Sequence, residues 1–547
     1  MGTKRRPDWI TGLKNKTYRA ESIRLKFLLL IVAVGVVVSL VACSNAASVK
    51  QSPTSTSSVN KYGGTFKFLS NDTATLMGYP PTASQTGAFY AGFCLEGLIR
   101  VTDKPFIYAP ALATSWDLAP DKSSYTFHLR KGVKFSDGSD FNATVVKWNI
   151  DNCIKAKRTE IAMVASVDVV DDYTVKVNLS SWDSVTLFQF SGGLTSMASK
   201  AAYEKNGEDW VNLNPIGTGP FIFTEMERSQ YTKFVKNPNY WDKGLPYLDA
   251  IEIDVAKDPT TLQALLLKGG YDGALQTDAI TATNVLQAGN YAANLGAMGN
   301  FIWWYNDTDP ASCWSNIKMR QALEYAIDKQ QINDAFGKGF THVSNEIIGG
   351  IWETPGNNPG TTPRKYDPVK AAQLVKDAGF PDGISTTLEV NTQFNGDFIV
   401  AMQNMLAKAG IKIAINLYPT NVMQEKALQP TPPNFLRYTR ARGGPFDMLT
   451  VTNADMITGS IKYPGTRRPD GFDKLLKETM QETDGNKVLA NMNKLEQLAY
   501  NDVMFVPVYV TQDVNVWAKN VKSDQATIMF NGGRSDAGAA RYVYLGK

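Results

Sequence analysis

Apolar and polar residues alternate with two different periods along this chain, and the switch between them predicts its elements. In YTFHLR, Tyr125, Phe127 and Leu129 alternate with Thr126, His128 and Arg130, which gives a strand with one buried and one wet face. Lys131-Gly132 supplies a turn, and Val133 and Phe135 resume the alternation until Asp137-Gly138 ends it. Asn142 stands where a helix N-cap is wanted. Val146, Ile150, Cys153 and Ile154 follow at helical spacing, so a ββα unit is expected.

The same reading extends in both directions. Gly63-Gly64-Thr65-Phe66-Lys67-Phe68 predicts a first strand, and Val175, Val177 and Leu179 another. Asn214-Pro215-Ile216-Gly217-Thr218-Gly219-Pro220 is a turn dense in Gly and Pro. Met319, Leu323, Ala326 and Ile327 share one helical face, and Asp328 can cap the next helix. Asp367-Pro368 opens a helix that Gly379 closes. A strand near 387–391, a helix near 397–409 and an alternating strand at Ile411, Ile413, Ile415 and Leu417 form a βαβ unit, which demands a parallel pair. A helix carrying Val488, Met492, Leu495 and Ala499 precedes a strand at Phe505–Tyr509. The pattern is α/β, and the length beyond the leader is too great for one core, so two or three lobes are expected.

Composition changes the picture mainly at the start. Residues 1–42 carry eight Lys or Arg against Asp8 and Glu21, then an apolar run from Phe27 to Ala42. Sixteen residues are short for a spanning helix, which needs roughly 20, and suit a signal peptide. The run ends in Leu40-Val41-Ala42-Cys43, which resembles the lipobox of bacterial lipoproteins, with Cys43 the lipidated residue; an uncut membrane anchor is the alternative. The whole chain is +4, so the remainder is about −2, and the basicity of the leader argues for no nucleic-acid partner. Residues 43–60 are rich in Ser, Thr and Ala and read as a flexible tether spanning about 20–25 Å. Cys94, Cys153 and Cys313 have no metal-like spacing and read as small buried hydrophobes, with at most one disulfide among them.

Several stretches go further than periodicity. SWDLAPD (Ser115–Asp121), YTFHLRKGVKFSDG (Tyr125–Gly138), NPIGTGPF (Asn214–Phe221), NPNYW (Asn237–Trp241), MRQALEYAID (Met319–Asp328) and the block from Tyr366 to Gly383 resemble the extracytoplasmic solute-binding proteins of peptide, nickel and related ABC importers. The chain is identified as a member of that family, and the resemblance covers most of it in the family's order. One departure is that the helix after Asn142 opens Ala143-Thr144-Val145-Val146, without the usual acidic residues.

The resemblance implies a two-lobe periplasmic-binding-protein-like (class II) α/β fold, with lobe I at 61–302 carrying an inserted subdomain at about 76–205. Lobe II would be 303–517, with 518–547 returning to lobe I. It implies a monomer that captures a peptide or other small solute between the lobes and delivers it to an ABC permease served by separate ATPase subunits. Peptide binders of the family hold the ligand ammonium with an Asp that follows Gly-Trp. Here Phe446-Asp447-Met448 matches the start of that block and Asp455 stands near the place, about one residue early and without the Gly-Trp. Trp303, Trp304 and Asn306 fall at the expected crossing between lobes. Adjacent tryptophans in a strand point to opposite sides, so either one faces the cleft or both pack the hinge.

Catalysis finds little support. The two histidines are His128, on the polar side of a strand, and His342. No nucleophile elbow, metal-type spacing or phosphate loop is present, so neither a cofactor nor a metal is expected. Carboxylates are plentiful, which leaves an Asp/Glu hydrolase as the alternative from another class, and an oligosaccharide as the alternative solute.

Overall fold

The computed structural model describes residues 60–546 except 72–75, 103–105, 347–361, 393, 395, 428, 430–431, 443–448, 450–451, 454–455, 461–462, 464, 525–529, 532–533 and 536. The first strand is β1 (Thr65–Ser70). Next, β2 (Ala113–Leu118), β3 (Ser124–Leu129), β4 (Val164–Asp171) and β5 (Thr174–Leu179) make a separate antiparallel sheet in the order β2-β3-β5-β4. Against it lies α1 (Ala143–Lys155). The Asn142 side chain accepts the Val145 N–H at 3.1 Å, as an N-cap should. Tyr125, Phe127 and Leu129 are buried together with Val146, Ile150 and Cys153, while Ile154 is only partly covered. Val133 and Phe135 are buried too, but between them there is only an isolated bridge, Lys134 to Asp140. Gly132 and Gly138, both at positive φ, turn the chain too often for a strand there.

Apart from three short two-stranded pairs (Ile99–Val101 with Tyr108–Pro110, Val521–Ser523 with Val543–Leu545, and Phe530–Asn531 with Arg534–Ser535), the other described strands join β1 in one large mixed sheet. They are β6 (Phe221–Glu227), β7 (Tyr231–Lys236), β8 (Ala250–Val255), β9 (Gly273–Thr277), β10 (Tyr291–Tyr305), β11 (Thr341–Val343), β12 (Ile384–Asn391), β13 (Ile411–Tyr418), β14 (Phe435–Arg442) and β15 (Val506–Ala518). Their order is β13-β12-β14-β10-β15-β9-β1-β8-β7-β6, with β11 also on β15. The expected βαβ unit is there: α7 below connects β12 to β13, which pair in parallel from Ile384–Ile411 to Asn391–Tyr418. Beside these strands run α2 (Pro259–Lys268), α3 (Ala279–Gln287), α4 (Ile317–Tyr325), α5 (Lys329–Phe336), α6 (Pro368–Asp377), α7 (Gly396–Lys408), α8 (Phe472–Met480) and α9 (Gly485–Asn501). Met319, Leu323, Ala326 and Ile327 are all buried, and Asp328 and Asp367 cap their helices as their positions require.

Two features exceed the sequence reading. The strand expected at Phe505–Tyr509 runs on to Ala518, and the 15-residue β10 carries too many Ala, Asn and Gly to have been expected as one strand. They pair with each other through the middle of the sheet. Hydrophobic cores lie on both sides of that middle. One gathers Phe66, Phe68, Ile251 and Ile253, and Trp517, Val521, Ala540 and Val543 from the chain's end join it. Two more lie on opposite faces of the other half, around Trp303 with Met319 and Leu388, and around Trp304 with Leu476 and Met492.

The Gly-Pro turn is explained by close approach. A Cβ on Gly217 would stand 2.1 Å from the Cys94 carbonyl oxygen, and one on Gly219 would stand 2.5 Å from it. Nearby, the buried Glu96 carboxylate receives Trp241 Nε1 at 2.7 Å, Tyr240 OH at 2.8 Å and Thr218 Oγ1 at 3.1 Å, with Arg100 at 3.5 Å. Residues of the GTGP and NPNYW stretches therefore meet on one carboxylate. Cys94, Cys153 and Cys313 are buried free thiols, and burial pushes the Cys153 and Cys313 thiols up to about 12.

Candidate functional site

The parallel strands of the large sheet fall into two sets that point at each other. In one set β1 and β8 run in parallel from Thr65–Ala250 to Ser70–Val255, and β9 lies parallel on the other side of β1. β9 is antiparallel to β15, with Gly273 opposite Trp517 and Thr277 opposite Val514, so this set ends toward the middle of β15. In the other set β12, β13 and β14 are parallel. β14 is antiparallel to β10, from Leu436–Tyr305 to Arg442–Gly299, so this set ends toward the middle of β10. Open α/β sheets bind ligands outside the carboxyl ends of their strands. Two such edges face each other here across the centre of β10 and β15.

At that centre the backbone is irregular. The β10–β15 register breaks between Leu295 and Met298 and again between Phe301 and Ile302, and the β9–β15 register breaks between Ala274 and Thr277. Gln276 lies in the break with φ +48°, a left-handed conformation costing a non-glycine residue about 1–2 kcal/mol. Its N–H leaves the ladder and donates to Asn515 Oδ1 at 3.0 Å, while Thr277 Oγ1 donates to the Val514 carbonyl at 2.7 Å. Asn515 is buried, and across the ladder stands Asn294, whose Oδ1 is buried without a hydrogen-bond partner among the described residues. The exposed Gln276 side chain and the Asp278 N-cap of α3 thus stand at one edge. Asn391 and Thr392, whose N–H donates to the Tyr418 carbonyl, stand at the other.

Trp303, Trp304 and Asn306, singled out by sequence, lie elsewhere. Trp303 and Trp304 point to opposite faces of β10, as alternation requires, but each is enclosed in its own core. Trp303 packs against Tyr438 with ring centroids 5.9 Å apart. Trp304 lies 5.2 Å from both Phe435 and Tyr463, its Nε1 donates to Thr466 Oγ1 at 2.6 Å, and the Arg437 guanidinium stacks over it at 4.6 Å. Trp303 is five positions past Met298, about 17 Å along an extended strand, and directly follows the second register break at Phe301–Ile302. Asn306 is buried in the turn after β10, where its Oδ1 accepts the Asp309 N–H and the Thr308 hydroxyl, each at 3.3 Å. Neither the tryptophans nor Asn306 stand at the facing edges. Asp455 and Cys43 lie outside the described residues. No sequence signal marked Gln276, Asn294 or Asn515, because a bulge is a property of paired strands.

The charged residues of this half are structural. Glu324 is fully buried between Arg364 at 2.6 Å and Lys329 at 3.1 Å, and Arg320 is buried between Asp307 and Asp502. His128 is half-buried, with Nε2 3.0 Å from Asp117 Oδ2. Among the described residues no group of three His, Cys, Asp or Glu side chains is arranged to hold a metal, and no helix is long and apolar enough to cross a membrane.

Comparisons with known proteins agree with this geometry. The model of the bacterial extracellular solute-binding proteins, family 5 (middle), matches residues 108–458. The glutathione-binding protein GsiB of Salmonella choleraesuis (strain SC-B67) is 33% identical over 345 residues, covering 61% of this chain and 65% of GsiB, so the match spans just under two thirds of that relative's length. HbpA2 from Haemophilus parasuis superposes with a TM-score of 0.77 at 19% identity, covering 88% of this chain and 100% of HbpA2. The periplasmic binding protein DppA from Helicobacter pylori, in complex with peptide STSA, superposes with a TM-score of 0.65 at 22% identity, covering 89% and 99%. The fold is the two-lobe α/β fold of periplasmic binding proteins. This chain belongs to family 5 of the bacterial extracellular solute-binding proteins.

Proposed function

We propose that the chain captures a peptide-like solute between the two facing strand edges and hands it to a membrane permease driven by separate ATPase subunits. The observation that carries this reading is the opposition of the two parallel sets across the broken register of β10 and β15. The lobes then hinge near 295–298 and 512–514, and β9's end at Gln276–Asp278 and β12's end at Asn391–Thr392 form the two lips. Support for a peptide comes from the names of the relatives: one binds glutathione, itself a modified tripeptide, and DppA was solved with a four-residue peptide.

Asp455 is the acceptor for the solute's ammonium, and Trp303, Trp304 and Asn306 brace the second lobe without touching solute. Acyl chains on Cys43 hold the protein at the membrane surface, and the 43–60 tether lets it reach the permease. A charged hydrogen bond in a closed cleft is worth about 1.5–3 kcal/mol, or roughly ten-fold to a hundred-fold in affinity. Asp455→Asn, or N-acetylation of the peptide, should each weaken binding by about that much. Calorimetric titration with a peptide and its acetylated form tests this, and equal affinity for both forms would remove the clamp.

A further inference from the structure

The two lobes touch at a third place besides β10 and β15, and we propose that this contact is a latch made when the cleft closes. The inference rests on the two-lobe reading above but not on the identity of the solute. The last carbonyls of a helix have no partner within it. At the end of α8 those carbonyls are served by the loop after β5, which belongs to the other lobe. The Ser184 N–H donates to the Met480 carbonyl at 2.8 Å. Ser184 Oγ lies 2.5 Å from the Thr479 carbonyl and 2.8 Å from that of Glu482, and can donate to either. In return Gln481 Nε2 donates to the Trp182 carbonyl at 3.0 Å.

A cation completes the contact. Lys122 Nζ donates to the Gln481 carbonyl at 2.6 Å and sits 4.3 Å over the Trp182 ring. Positive charge at a helix C-terminus opposes the negative end of its dipole. Beneath these bonds Val185 and Phe106 are buried in the core that contains Leu476, Met480, Val488 and Met492 of α8 and α9. The fit is close at the start of α9, where a Cβ on Gly485 would stand 2.8 Å from the Phe106 carbonyl oxygen. The loop is shaped beforehand. Asp183 Oδ1 accepts the Val185 N–H at 3.1 Å and the Thr186 hydroxyl at 2.8 Å, independently of α8.

The composition of the contact suits reversibility. Its polar bonds end on backbone carbonyls that water can serve equally well, and its apolar part among the described residues is small, made by Val185, Phe106 and Ile107. It lies off the hinge formed by β10 and β15, so rotation about the register break separates Ser184 from α8. Forming it draws the lobes together whether or not solute is present, and breaking it releases them.

Small-angle X-ray scattering of the solute-free protein reads this directly. Val185→Asp places a charge in the apolar contact, and the milder Lys122→Glu sets a negative charge against the helix end while leaving the core untouched. Circular dichroism checks that each variant is folded. The wild-type curve should match the structure with the contact made, and either folded variant should give a larger radius of gyration. Wild-type curves from both folded variants, or a wild-type curve that requires separated lobes, would overturn the latch. No solute enters the measurement, so failure to find a peptide ligand would leave the result standing.

Discussion

Trp241 donates its indole N–H to Glu96 Oε2 at 2.7 Å, joining two sequence stretches separated by more than a hundred residues. Tyr240 and Thr218 donate to the same carboxylate, and Arg100 supplies the balancing charge. The stretches that resemble the family most closely are therefore scaffold. Glu96→Ala would leave three donors unsatisfied in a buried site while Arg100 keeps Asp242 at 3.3 Å, and stranding buried polar groups costs about 1–3 kcal/mol. Guanidinium unfolding should register a loss of that size. A loss below about 1 kcal/mol would show that water replaces the carboxylate at no cost.

Gln276 offers a test of the hinge. Its left-handed backbone should be relieved by Gln276→Gly, with a gain of about 1 kcal/mol in stability that only a glycine provides. Gln276→Ala should not stabilise. If the Gln276 side chain lines the cleft, both substitutions should weaken solute binding to the same extent, which separates the contribution of the side chain from that of the backbone.

Asp278 sets the sign of one pH effect. Burial alone would raise its pKa, but hydrogen bonds from Thr281 and the Ile280 N–H outweigh burial and hold the carboxyl below its ordinary value. The ionised form therefore stabilises the folded chain. That contribution is complete above the unfolded pKa of about 3.9 and is lost as the pH falls through the lower folded value. Asp278→Asn keeps a capping oxygen and loses the charge, so it should cost at most about 0.5 kcal/mol at pH 7, and the cost should shrink as the pH falls below about 3.9. A cost that grows on acidification would have the wrong sign.

The thiols and the anchor make a paired prediction. Cys94, Cys153 and Cys313 are buried, with pKa values raised by burial, so a thiol reagent at pH 8 should label none of them until the chain is unfolded. Cys43→Ala should abolish incorporation of labelled fatty acid and leave the chain uncut or released. Undiminished lipid labelling in that variant would remove the lipobox.

Much of the local structure was legible because it depends on neighbours in sequence. The alternation at Tyr125, Phe127 and Leu129, the caps at Asn142, Asp328 and Asp367, and the βαβ unit of β12, α7 and β13 all formed as their spacing required. The site was less legible. Trp303 and Trp304 drew attention as large aromatics, yet a side chain that size in a 15-residue central strand is what fills cores on both faces. Gln276 and Asn515 came to notice only once β9 and β15 were paired, since their roles come from a register break between strands 239 positions apart. The Ser184 contact with α8 is equally non-local, and neither partner carries a motif.

The central claim is that the chain holds a peptide-like solute between its lobes, and a thermal-shift panel tests it most directly. A ligand that binds only the folded state stabilises it by RT ln(1 + [L]/Kd), about 2.7 kcal/mol at a hundred times Kd. Glutathione, free di- and tripeptides, their N-acetylated forms and a set of oligosaccharides would be added to the protein at equal concentration. The account predicts that at least one free peptide or glutathione raises the melting temperature, that its N-acetylated form does so much less, and that the oligosaccharides leave it unchanged. A clear shift with an oligosaccharide and none with any peptide would contradict it.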